Sequence, residues 1–148
     1  MAQSVTQRLV AAIDTDWIEE QAWRMLEIPS VTMDEAEVCA LFEGQMRDLG
    51  LDVDVRPVDD EGRNNLYARI AGQGTGPTLH LNGHLDTIPL GDAWPPERRA
   101  DRLYGRGATD MKGGMASMLG AAKAIIDSGT RLRGDLVLSA VVGHEETI

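Results

Sequence analysis

Three short segments hold the side chains whose types and spacing can do chemistry. They are Gly83-His84-Leu85-Asp86-Thr87, Gly105-Arg106-Gly107-Ala108-Thr109-Asp110-Met111-Lys112-Gly113-Gly114 and Gly143-His144-Glu145-Glu146. On an extended backbone, residues two apart point to the same side, so Asp86 can accept a hydrogen bond from the His84 imidazole and hold its ring. A carboxylate orients a metal-binding histidine in this way. The same pair can also do no more than stabilise a strand end. Glu145 and Glu146 are adjacent like charges, which raise each other's pKa unless a cation compensates. One can bind a metal while the other faces an activated water as a general base, or the two can form a solvated turn.

Asp110 falls where a carboxylate meets the start of a helix, a position that an ordinary N-cap also fills. Gly113 and Gly114 each cost that helix about 1 kcal/mol relative to alanine, which points to close approach by another backbone or a ligand. A nucleotide loop is excluded. The third glycine of a dinucleotide fingerprint is replaced by Asp110, whose charge would repel a pyrophosphate, and Lys112 is followed by glycine rather than Ser or Thr.

The elements that must carry these segments follow from periodicity. Residues 4–13 and 17–27 read as helices with Val10, Ile13, Trp17, Ile18, Ala22, Met25 and Leu26 at helical spacing, and Asp14 or Asp16 as N-caps. Ile28-Pro29-Ser30 ends the second helix. A third helix spans residues 34–49 with Val38, Ala40, Leu41, Met46 and Leu49 as its stripe, and Cys39 as a small core residue on or beside it. Residues 51–55 alternate as an edge strand, 65–70 form a second and 78–84 a third. A Pro- and Arg-rich loop leads to a helix over 111–127. Residues 135–142 form a central strand buried on both faces. This order predicts an α/β fold with a mostly parallel sheet flanked by helices. Two of the polar segments then sit beyond the carboxyl ends of strands, where sites in open α/β sheets gather.

Length and composition bound the rest. A chain of 148 residues with 43% hydrophobic and 26% charged residues has enough apolar side chains for a core, which argues against global disorder. One cysteine excludes an internal disulfide framework and a multi-cysteine zinc site. Residues 1–62 carry 4 Lys/Arg against 15 Asp/Glu, whereas residues 63–148 carry 10 against 9. No basic stripe awaits a phosphate backbone, so nucleic acid is not an expected partner, and the acidic part reads as a solvated surface. No apolar run is long enough to cross a bilayer, and residues 1–8 lack the order of a signal peptide, so a cytoplasmic protein is expected.

The segments LHLNGHLDTIP and DRLYGRGATDMKGGMASMLGAAKAI, with the Glu145-Glu146 pair, resemble the zinc amidohydrolase and peptidase family of acetylornithine deacetylase, succinyl-diaminopimelate desuccinylase, aminoacylase and glutamate carboxypeptidase. The resemblance covers roughly residues 15–148 and is densest over 79–114. It implies that His84 is a ligand of a first metal ion, with Asp86 holding its ring. It implies that Asp110 bridges two zinc ions and is followed by a cis peptide bond, that Glu145 is the general base, and that Glu146 is a ligand of the second ion. His144 stands where the family has an acidic residue.

Family members are more than twice as long and supply a further carboxylate, a late histidine ligand and an inserted domain that commonly dimerises. Residues 1–148 are therefore expected to be the N-terminal part of a catalytic domain, whose last strand exposes an edge that further residues would cover. The implied activity is metal-dependent hydrolysis of the amide of an N-acyl amino acid or small peptide, with two zinc ions per complete site, cobalt or manganese being acceptable substitutes, and a homodimer for the complete protein. The alternative is a catalytically incomplete remnant or a subunit completed by another chain, since His84, Asp110 and Glu146 are few ligands for two ions.

Overall fold

A computed structural model describes residues 3–145. Three helices come first: α1 (Val5–Ala11), α2 (Thr15–Leu26) and α3 (Ala36–Asp48). Ser4 caps α1 in a reciprocal box with Gln7. Asp14 caps α2 by accepting the Trp17 N–H at 3.0 Å, and Asp16 lies inside the first turn instead. β1 (Val53–Pro57), β2 (Asn64–Ile70) and β3 (Leu79–His84) follow, then β4 (Glu97–Arg99), β5 (Arg102–Tyr104), α4 (Gly113–Asp127) and β6 (Leu136–Val141).

The main sheet has the order β1-β2-β6-β3. The α/β class with a helix-flanked sheet holds, but the sheet is mixed rather than mostly parallel. β1 and β2 are antiparallel, as are β2 and β6, and only β3 and β6 run parallel. The cause is local: a short turn closes β1 onto β2, and a short connection between paired strands reverses direction. β6, at the centre, is reached through α4, the long crossover that a parallel pair requires. The edges among the described strands are β1, as expected, and β3. The last strand is not an edge, because it inserts between β2 and β3.

One core joins the layers. Leu66, Ala68, Leu138 and Ala140 point from alternate positions of the sheet at Met25, Phe42, Met46, Met115 and Leu119 of the helices. Cys39 is fully buried among them, and burial pushes its thiol pKa up. On the alternate face of β6 Val137 and Val141 are half-buried and Ser139 between them is fully buried, so that face is covered only in part.

The β1–β2 turn depends on Asp59, whose Oδ1 accepts the N–H groups of Glu61 and Arg63 at 3.1 Å each, while Oδ2 accepts Arg63 Nη1 at 2.9 Å. Desolvation would raise the Asp59 pKa, but these Arg63 and Glu61 donors lower it on balance. A depressed folded-state pKa gives stability that is complete above the unfolded carboxylate value and is lost as pH falls through the folded one. Acid titration of stability is therefore expected to be shallower in Asp59→Asn than in the parent chain. Coincident acid limbs would contradict this.

Candidate metal centre

The site is assembled at the carboxyl ends of the parallel pair. β3 and β6 run in register from Leu79↔Leu136 to His84↔Val141, so the residues just past both strands emerge side by side. His84 closes β3. Its ring Nδ1 lies 3.0 Å from the main-chain carbonyl of Asp86 and 3.3 Å from Asp86 Oδ1. A carbonyl oxygen only accepts, so Nδ1 carries the hydrogen and the Nε2 lone pair is left outward. That lone pair faces Asp110 Oδ1 at 3.1 Å.

Two acceptors at this separation call for a cation between or beside them, either a proton on the ring or a metal ion. Donor atoms of His84, Asp110 and Glu145 all lie within 4.8 Å of one another. Two ligands of one tetrahedral ion with bonds of about 2.1 Å stand about 3.4 Å apart, so His84 Nε2 and Asp110 Oδ1 at 3.1 Å fit two ligands of a zinc-type ion.

Asp86 is fully buried and serves as the hub. Its Oδ2 accepts the Thr32 hydroxyl at 2.9 Å and the Glu145 N–H at 2.7 Å. Burial by itself would raise the Asp86 pKa, but the Glu145 and His144 N–H groups and Thr32 outweigh it and hold the carboxyl below its usual range. The residue thus touches the His84 ring with one oxygen and fixes the Glu145 backbone with the other.

Asp110 is not a helix N-cap: Lys112 holds the N-cap position of α4, the helix start has no side-chain cap bond, and the Asp110 carboxylate meets the His84 ring instead. Its backbone is extended, with φ of −126° and ψ of 97°, and the Asp110–Met111 peptide is cis. Its side chain is 73% exposed, open to whatever enters. Gly107 makes the approach possible: it has φ of 84°, and a Cβ there would stand 2.7 Å from Thr87 Cγ2. Asp110 borders two clefts. One, of about 320 Å³, is lined by Arg106, Thr109 and Glu145. The other, of about 220 Å³, is lined by Asn82, His84 and His144. Lys112 turns inward, where its ammonium donates to the carbonyls of Met25 and Ile28 at 3.0 and 2.8 Å and ties this turn to the end of α2.

The structure thus brings together His84, Asp86, Asp110 and Glu145; Glu146 lies outside the described residues. Sequence reasoning missed Thr32 and Ser30, which ride on a short parallel bridge between Val31 and Thr87. The run after Pro29 gave no signal beyond a helix end. His144 stacks on the His84 ring with centroids 4.4 Å apart. His80 hydrogen-bonds Ser139 at 2.8 Å and so lines the sheet.

A buried histidine, a carboxylate behind it and two more carboxylates in front define the class of site that can hold a divalent metal ion. Comparison with known proteins narrows the class to a family. Residues 80–147 match the family described as Peptidase family M20/M25/M40, and the chain belongs to that family. It is 40% identical over 130 residues to a succinyl-diaminopimelate desuccinylase of Gluconacetobacter diazotrophicus, covering 82% of this chain and 33% of that one. It is 39% identical over 116 residues to the same-named protein of Leptothrix cholodnii, covering 72% of this chain and 30% of that one. The chain thus spans about a third of the length of the curated relatives it matches. Among solved structures, aminopeptidase PepT from Bacillus cereus superposes with a TM-score of 0.75 at 24% identity over 89% of this chain and 37% of its own. Human carnosine dipeptidase 1 superposes at 0.74 and 22% identity over 95% of this chain and 35% of its own. At such identities these two show the fold alone.

Proposed function

We propose that these residues form the N-terminal part of the catalytic domain of a hydrolase that cleaves the amide bond of N-acyl amino acids or small peptides. The observation that carries this reading is the meeting of the His84 lone pair, Asp110 and Glu145 from three distant segments within 4.8 Å. A bound zinc ion would supply a Lewis acid for the scissile carbonyl and acidify water. In this reading His84 Nε2 would hold a first ion, and Asp110, which borders both clefts, would serve both ions. Glu146 would be a ligand of the second ion, and cobalt or manganese could take the place of zinc.

Glu145 acts as the base. It takes the proton of the attacking water and delivers it to the nitrogen of the leaving amine. Asp86 keeps the His84 ring in one tautomer and the Glu145 backbone in place. The names of the sequence relatives favour an N-succinyl amino acid over a free-amine peptide as substrate. A cytoplasmic homodimer is proposed for the complete protein.

A second reading is favoured by the length ratio and by three donors standing for two ions. In it, the 148 residues are catalytically incomplete and act as a non-catalytic or complementing subunit. The test is hydrolysis by the full product of the native gene, beside the 148-residue chain, of N-succinyl and N-acetyl amino acids and free-amine dipeptides. Acyl substrates cleaved by the full product, with loss on chelation and recovery with zinc, are expected. Cleavage of dipeptides alone would replace the deacylase with a peptidase. No cleavage by either protein would leave the non-catalytic reading.

A further inference from the structure

We propose that Glu35 is a positioning residue for the turn that presents Glu145, acting through the main-chain N–H of Gly143. Glu35 stands at the N-cap position of α3, where a side chain ordinarily accepts a helix N–H, yet it makes no such bond. Its carboxylate is fully buried and turned away from its own helix. Oε2 accepts Arg63 Nε at 2.6 Å, and Oε1 accepts both Arg63 Nη2 at 3.3 Å and Gly143 N at 3.0 Å. The last of these bonds joins residues 108 apart in sequence. Residues that break a local rule while meeting a distant segment mark functional constraint.

The turn is fixed at three successive points. Asn65 Oδ1 accepts Val142 N at 3.2 Å, Glu35 accepts Gly143 N, and Asp86 accepts Glu145 N at 2.7 Å. Gly143 has φ of 73°, and a Cβ there would stand 3.3 Å from Arg63 Nη2, so the backbone rests against the guanidinium. A buried ion pair is weak evidence for stability, because apolar replacement of both partners is often neutral. What an apolar pair cannot do is accept the Gly143 N–H. The two effects are therefore separable.

This inference rests on Glu145 being the base. The test uses the full product of the native gene with Glu35→Met and the double variant Glu35→Met/Arg63→Met, read by thermal melting and by steady-state kinetics. Glu35→Met is expected to lower Tm and to lower kcat about 10–100-fold with KM nearly unchanged, since misplacement by about 1 Å costs on that order. The double variant leaves no buried guanidinium short of its Glu35 partner but also removes the Arg63 contact to Asp59, so it is expected to recover Tm in part while kcat stays low. If the single variant does not fold, the double variant against the parent decides. Recovery of kcat together with Tm, or full kcat in either variant, overturns the positioning role. Glu145→Gln measured alongside keeps the two ideas apart. Full turnover in that variant removes the base assignment itself, whereas lost turnover there with full kcat in Glu35→Met removes only the positioning role.

Discussion

Glu145→Gln, in the full product of the native gene, is expected to lose about 10²–10⁴-fold in kcat while metal content and thermal stability stay at the parent values. The size follows from what a positioned general base contributes. Glutamine keeps the shape of the side chain and cannot take a proton. The substitution should not move the turn, because the main-chain N–H of residue 145 is held by Asp86 at 2.7 Å and that of Gly143 by Glu35 at 3.0 Å, whatever side chain residue 145 carries. Elemental analysis of the purified variant checks the metal, and a single-turnover assay checks the chemical step. Turnover within a few-fold of the parent would sink the base assignment.

Asp86→Ala should damage two properties at once. With the side chain gone, the buried Thr32 hydroxyl and the Glu145 N–H lose their acceptor, and each unsatisfied donor costs about 1–3 kcal/mol. A loss of about 2–5 kcal/mol in urea denaturation is expected. The His84 ring keeps the main-chain carbonyl of residue 86 but loses the carboxylate at 3.3 Å, and affinity for zinc should fall about 10–100-fold. Asp86→Asn is no harmless substitute. An amide must aim its NH2 either at the Nδ1–H of His84 or at the Thr32 and Glu145 donors, so one donor faces another. Parent-like stability and zinc affinity in Asp86→Ala would show that the hub carries nothing.

His84, Asp86 and Glu145 were legible because each sits where an apolar strand gives way to polar chemistry, and strand ends are where such residues converge. The helices and main strands were legible to within a few residues for a similar reason, since periodicity records which face is buried. Long-range order was not. Nothing local in residues 135–142 tells that this strand inserts between β2 and β3, and the mixed sheet follows from that insertion and from the β1–β2 turn. The strands Glu97–Arg99 and Arg102–Tyr104 escaped as well, because they are three residues each, largely exposed and without alternation.

Charge was the other blind spot. The acidic first part reads as a solvated surface, yet Glu35 within it is fully buried against Arg63 and Gly143. Lys112 is buried too, with two carbonyls for partners, and burial lowers its pKa to about 8. Composition assigns such side chains to water by default, and only a three-dimensional partner reverses that. Asp110 illustrates the same limit. Its place before a helix reads as a cap, and only the non-helical backbone turns it toward His84.

The most direct test of the account is zinc binding by the full product of the native gene, measured by titration calorimetry with zinc alone on the parent, His84→Ala and Asp110→Ala. Tight uptake by the parent, loss of the first ion in His84→Ala and loss of both in Asp110→Ala are expected, with all three proteins folded. Equal zinc uptake by the three proteins, or none by the parent, would contradict it.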